Sequence, residues 1–101
     1  MPFQEFPLTS VDVTSSFWSH VQDCSRLKTI PAIVEAQKTW DHWTCLTWNE
    51  GHDVKPHQFW DSDIYKIIEA ACYFLIKHPD DAMRAVVEDA VEMIRGAQHE
   101  D

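Results

Sequence analysis

Asp61, Ser62 and Asp63 stand directly after Trp60. Carboxylates bind hydroxyl groups well, and an indole face packs on the C–H face of a sugar ring. These residues could therefore line a carbohydrate pocket, with Trp60 as the stacking platform beside Asp61. Their competing role is local. Short polar residues at a helix start cap it, and their carboxylates suit the positive end of the helix dipole. One carboxylate can cap while the other faces a pocket. Glu69 follows Lys66 by three residues and can pair with it. Placed beside Tyr65 and Ile76 it could instead be partly buried, where desolvation raises a carboxyl pKa and creates a candidate general acid. A structural hydrogen bond or ion pair is its plainer role.

His42, Cys45, His52 and His57 follow the pattern H-x2-C-x6-H-x4-H. Zinc takes imidazole and thiolate ligands tetrahedrally, so the donor atoms suffice. The spacing fits no standard zinc module. The tryptophans between these residues suit packing equally well. Four of the five tryptophans (Trp40, Trp43, Trp48, Trp60) lie in this part of the chain. They could stack sugars or pack the segment onto its neighbours. Cys72 reads as a small core residue, since nothing nearby would lower its pKa.

The balance of the chain excludes other chemistry. In 101 residues, 17 acidic against 8 basic side chains leave a formal net charge of -9. Nucleic-acid binding needs a basic stripe to displace counterions, and an anionic membrane surface would repel such a chain. No apolar run approaches the roughly 18–20 residues of a membrane span. The start, Met1-Pro2-Phe3-Gln4-Glu5, lacks the basic and apolar regions of a signal peptide. A cytoplasmic location is expected. Three cysteines with no CxxC spacing point to reduced thiols rather than a disulfide framework. Two glycines, Gly51 and Gly96, exclude the clustered glycines of a Rossmann fingerprint or P-loop. At 45% hydrophobic residues the chain is competent to fold.

The elements that must position these residues read as all-α. Val11-Asp12-Val13-Thr14 alternates at period two and predicts a short extended, edge-strand segment. Ser15 or Ser16 can cap a helix from 17 to about 27, with Phe17, Val21 and Cys24 at helical spacing beside Trp18. Thr29-Ile30-Pro31 predicts a second start, with Ile33, Val34 and Trp40 along a helix ending near 40. Residues 41–60, with Asn49-Glu50-Gly51 and Pro56, read as a long loop, and loops of that length are often functional. Asp61-Ser62-Asp63 then caps a helix over 62–77. Ile64, Ile67, Ile68, Ala71 and Leu75 form its stripe, widened by Tyr65, Cys72, Ile76 and Phe74. His78-Pro79 stops it, and Asp80 caps a last helix over 80–97. Its stripe is Met83, Val86, Val87, Ala90, Ile94 and Ala97. The short connection predicts a helical hairpin. The 62–77 helix is apolar over more of its circumference than this chain can cover. No stop signal follows Gly96. Residues 1–101 thus read as an N-terminal fragment of a larger domain or as an obligate oligomer.

Phe59-Trp60-Asp61-Ser62-Asp63-Ile64-Tyr65-Lys66, followed by Glu69-Ala70-Ala71 and Tyr73, resembles the glycoside hydrolase family 127 proteins, the β-L-arabinofuranosidases and their relatives. The likeness continues through His78-Pro79-Asp80 to Ala97-Gln98-His99-Glu100-Asp101. Phe17-Trp18 and Thr29-Ile30-Pro31 look like the family's opening helix, while residues 41–56 match weakly. The resemblance implies part of an (α/α)6 toroid, carbohydrate as the partner of the full-length relatives, and descent from a glycosidase. In those relatives a cysteine nucleophile sits at a zinc site of cysteines and a glutamate, with a separate glutamate as acid/base. These residues come later than the motifs matched here and do not transfer onto Cys24, Cys45 or Cys72. No cofactor is therefore expected in this chain, no catalytic residue is assigned, and the chain alone should be inactive. Asp61, Asp63, Trp60 and Glu69 remain the candidate substrate-binding residues. Two carboxyls of a glycosidase stand about 5 Å apart for retention or roughly 6.5–9.5 Å for inversion, and one sequence cannot show such a pair. Two other readings stand beside the hydrolase: a small helical module that self-associates through the apolar face of helix 62–77, and a zinc module built on His42, Cys45, His52 and His57.

Overall fold

A side chain that satisfies an orphan amide favours a helix start. Ser15, in extended backbone, accepts a hydrogen bond from the Trp18 amide and opens α1, Ser16–Cys24. The computed structural model describes residues 2–53 and 57–100; Pro56, read above as part of the loop, and Asp101, read as part of the family motif, lie outside them. Every regular element among the described residues is helical. The expected segment 11–14 is extended but pairs with no strand. It is tied to the helices by side chains: Lys77 donates to the Val11 carbonyl and to Asp12 Oδ1, the latter at 2.7 Å.

The expected break at Thr29-Ile30-Pro31 does not occur. α1 runs through one widened π turn, Ser25–Thr29, directly into α2, Ile30–Thr39. The Ile30 amide bonds the Ser25 carbonyl, five residues back, and Thr29 Oγ1 donates to the Cys24 carbonyl at 3.4 Å. In regular α geometry the Pro31 ring would meet the carbonyl of Leu27. A widened turn immediately before proline moves that carbonyl aside, so the helix continues instead of restarting.

α2 ends in a Schellman turn. The His42 amide bonds the Gln37 carbonyl at 2.8 Å, and the Asp41 amide bonds that of Lys38 at 3.3 Å. Asp41 takes the left-handed position, with φ 60°. Its carboxylate accepts from Thr44 Oγ1 at 2.5 Å, which is the local compensation for a side chain where glycine is usual. This turn sends Trp43 inward, where it is 3% exposed. Its Nε1 donates to Asp89 Oδ2 at 2.9 Å. The expected long loop thus carries a core residue and one short helical turn, Cys45–Thr47.

α3 covers Trp60–Leu75, two residues earlier than expected at each end. Asp61-Ser62-Asp63 does not cap it. Phe59 holds the N-cap position without a side-chain bond, and the two carboxylates lie in the first turn, where only their charge acts on the dipole. Ser62 Oγ donates to the Phe59 carbonyl at 2.9 Å. α4, Asp81–Ala97, begins as expected: Asp80 Oδ1 accepts from the Met83 amide at 3.0 Å. α3 and α4 pack together as the predicted hairpin, and α2 lies against α3.

The core is small. Ile64, Ile67 and Ala71 of α3 meet Ile30 and Val34 of α2, Met83 and Ala90 of α4, and Trp43. The inward face of α2 is Ile30, Val34 and Gln37, while Ile33 and Trp40, expected on it, are exposed. α1 buries none of its residues, and Phe17, Trp18 and Val21 face solvent. On α3 the expected flank Tyr65, Cys72 and Ile76 is exposed. The accessible surface is 8102 Å². A compact monomer of 11.8 kDa would expose about 5,900 Å². The radius of gyration is 16.5 Å, against about 13 Å for a compact chain of this length.

Three substitutions test this packing and its capping. Trp43→Ala should cost ~3–5 kcal/mol in urea unfolding, because it empties the junction of three helices. Asp89→Ala, which strands the buried indole N–H while leaving the ring in place, should cost ~1–3 kcal/mol. Asp80→Ala should cost about 1 kcal/mol by the same measurement, through loss of the α4 cap.

Candidate functional site

Two open grooves flank the helices. The first, about 800 Å³, lies between α2 and the start of α3. Ile33, Gln37 and Trp40 line it from α2, with His42 at the turn, and Asp63 and Lys66 from α3. Trp40, at the C-terminal end of α2, is 68% exposed. Asp63 Oδ1 and Lys66 Nζ pair at 3.1 Å. The Gln37 side chain is buried at 8% exposure, and its amide oxygen has no hydrogen-bond partner.

Of the four residues expected to bind substrate, Asp63 opens onto this groove. Trp60 is buried at 5% exposure, edge-on to His42 with ring centroids 6.1 Å apart. Both its faces are therefore occupied by packing, and the stacking role expected of it has no open ring face in this arrangement. Asp61 is exposed and lies near Cys45. Glu69 is exposed too, so the burial that would make it a general acid is absent. It accepts from the Tyr73 hydroxyl at 3.0 Å, while Lys66 pairs with Asp63 in its place. That bond, together with the carboxylate charge, raises the Tyr73 pKa. Asp63 and Glu69 stand on different faces of α3, since six residues turn a helix by about 240°.

Of the groove residues, Trp40 is one of the four tryptophans that could stack sugars, whereas Gln37 is not singled out by sequence reasoning. Trp40 reads as part of an apolar stripe, and Gln37 is an ordinary helix residue. A signal was present in the missing glycine after α2: without the left-handed turn at Asp41, Trp40 and Trp43 cannot be told apart.

The histidines and cysteine of the 41–60 segment do not converge. Among the described residues no three His, Cys, Asp or Glu side chains come close enough to hold one metal ion. Burial, and then the charge of Asp61, push the Cys45 thiol pKa up, which favours the protonated form rather than a thiolate ligand or nucleophile. His57 Nδ1 accepts from the Phe59 amide at 3.2 Å. Cys24 stands 3.5 Å from His20 Nε2 on α1, away from the other cysteines. The zinc module read from His42, Cys45, His52 and His57 is therefore not assembled in this arrangement.

The second groove, about 810 Å³, lies under the N-terminal segment, between it, α1 and α3. Phe6, Val11, Tyr73 and Lys77 are among its walls. Lys77 is the tie: its hydrogen bond and charge lower the pKa of Asp12.

A family model described as the β-L-arabinofuranosidase, GH127 catalytic domain matches residues 8–101. A non-reducing end β-L-arabinofuranosidase of Bifidobacterium longum subsp. longum is 44% identical over 43 residues, which cover 43% of this chain and 6% of that enzyme. The match thus spans a small part of the relative's length. No solved structure matches the chain. No helix among the described residues is long and apolar enough to cross a membrane.

The Lys77 tie has a defined pH dependence. A carboxylate whose pKa is lowered by folding stabilises the folded form above its ordinary value, near pH 4, and stops doing so as pH falls through the lowered value. Protease cleavage within residues 7–15 should therefore be slow at neutral pH and accelerate below about pH 4. Lys77→Met should be cleaved rapidly at both pH values.

Proposed function

The chain belongs to the glycoside hydrolase family 127 β-L-arabinofuranosidase catalytic domains, and from that premise we propose that it supplies the opening helices of an (α/α) toroid that hydrolyses β-L-arabinofuranosides. The observation that carries the structural half of this reading is the excess surface, 8102 Å² on an all-helical chain whose first helix buries no residue. A toroid of helix pairs buries such faces against further pairs. The exposed Phe17, Trp18, Leu27, Tyr73 and Ile76 are large apolar groups of the kind that subunit or domain contacts cover.

In this reading the chain contributes a wall of the substrate site and not the cleaving groups. The nucleophilic cysteine and its zinc ligands, which the resemblance assigns to later parts of longer relatives, have no counterpart in the motifs matched here. Cys45, the cysteine nearest the Asp61 carboxylate, is held protonated. The chain would be at work in a cytoplasmic setting that keeps its three cysteines reduced.

The outer face of α3 also favours a second reading, a self-associating helical module. Tyr65, Cys72, Tyr73 and Ile76 leave that face apolar and exposed, with Ile76 48% accessible. A concentration-dependent dimer with a cooperative melt supports the module; a monomer that binds a dye for exposed apolar surface supports the toroid piece.

An aryl β-L-arabinofuranoside should show no turnover with the purified 101-residue chain, with or without added zinc. Release of the aryl alcohol that survives Asp61→Asn and Asp63→Asn would refute the assignment of the cleaving groups elsewhere. Release abolished by either change would make these carboxylates catalytic.

A further inference from the structure

The outer face of α1 carries a pair of side chains that the hydrolase reading does not use. Cys24 Sγ stands 3.5 Å from His20 Nε2, one helical turn away. Thiolate and imidazole together are ligands for zinc-class ions. Zinc–sulfur and zinc–nitrogen bonds of about 2.3 Å and about 2.0–2.1 Å, set at the tetrahedral angle, hold the two ligand atoms about 3.5 Å apart. The pair therefore already has the separation that one shared ion demands, and only the thiol proton has to leave. Cys24 is half-buried and its backbone is anchored. Its carbonyl accepts from Thr29 Oγ1 at 3.4 Å, and the widened turn begins at the next residue.

Two ligands make half of a tetrahedral site. Among the described residues no third His, Cys, Asp or Glu joins them. The neighbouring Asp23 carboxylate is engaged by Arg26 at 3.1 Å. The surface around the pair indicates what supplies the other half. Phe17, His20, Val21 and Cys24 fall within about 100° of arc on α1. They lie on the side away from Ser19, Gln22 and Asp23, which line the second groove. Phe17 is 64% exposed and Val21 37%. This is the spacing of a helix–helix seam, with apolar residues beside the ligands. Water would complete the metal shell and leave Phe17 and Val21 exposed. A second copy brings the same seam and the same two ligands, related by a two-fold axis that can pass through the ion. We propose that His20 and Cys24 of two copies hold one zinc-class ion in a His2Cys2 site, with Phe17 and Val21 packed across an α1–α1 seam. The proposal is independent of the hydrolase reading. It also differs from self-association through α3, which needs no metal.

The test takes the 101-residue chain, reduced and stripped with a chelator, and titrates it with Zn2+ and separately with Co2+. Sedimentation and visible absorption are the readouts. Binding should saturate at one ion per two chains, and monomer should convert to dimer at the same point. Co2+ should give the intense visible bands of a tetrahedral ion together with a thiolate charge-transfer band. His20→Ala and Cys24→Ser should each leave the chain monomeric. Each should weaken binding by more than the roughly 10–100-fold that loss of a ligand's hydrogen-bonded neighbour costs. His20 is exposed, so circular dichroism of His20→Ala should match that of the parent. Cys45→Ser should change neither binding nor association. One ion per chain without association, or a dimer that forms equally well in chelator, would overturn the shared site. So would metal binding that survives both α1 substitutions, loss of binding in Cys45→Ser, or a folded parent chain with no tetrahedral Co2+ spectrum.

Discussion

The burial of one indole organises this chain. Trp43 leaves α2 through a left-handed turn, enters the space shared by α2, α3 and α4, and bonds Asp89 across 46 positions of sequence. Lys38 Nζ lies 5.5 Å from the ring centre and shields it from solvent. The hydrogen bond matters because an indole N–H buried without a partner opposes folding. Asp89 is on the polar side of α4, so the bond also sets how α4 is rotated on α3. With α4 fixed in that way, Met83 and Ala90 face the Ile64, Ile67 and Ala71 stripe.

Legibility followed the range of the forces involved. α4 was readable because its start signal is local: Asp80 bonds an amide three residues on, and Pro79 prevents the previous helix from continuing. The buried stripe of α3 was readable from spacing alone. Its flank could be seen to be apolar, but whether Ile76 is covered depends on partners that spacing does not specify. Asp61 and Asp63 read equally well as caps and as first-turn charges. The structure starts the helix at Trp60, which is buried, and so places both carboxylates in the first turn. The tryptophans show the same limit. Trp40, Trp43 and Trp60 have one chemistry and three environments, exposed, hydrogen-bonded in the core, and packed on His42. Only the turn at Asp41 distinguishes the first two. The π turn was missed because a proline one residue into a helix and a proline just beyond a widened turn look alike in sequence.

The functional inference rests on an imbalance between the two sides of the molecule. Its interior packs around Ile64, among the described residues the one large side chain with no exposed surface. Its exterior carries many large apolar groups at separate places, Phe17 and Trp18 on α1 and Tyr73 and Ile76 on α3. A lone binding module concentrates such groups in one patch. Distribution over α1 and α3 suits a chain that several neighbours would cover. The family relationship gives such an assembly a chemistry.

The widened turn at Ser25–Thr29 carries a geometric consequence for α1. One extra residue in a helical turn advances everything before it by about 100° relative to everything after it. The Phe17–Trp18 ridge is therefore out of phase with the Ile30–Val34 ridge, although both belong to one unbroken rod. A single helical rod with two phases can address two neighbours on different sides, serving as a shared wall without the loop that two separate helices would need.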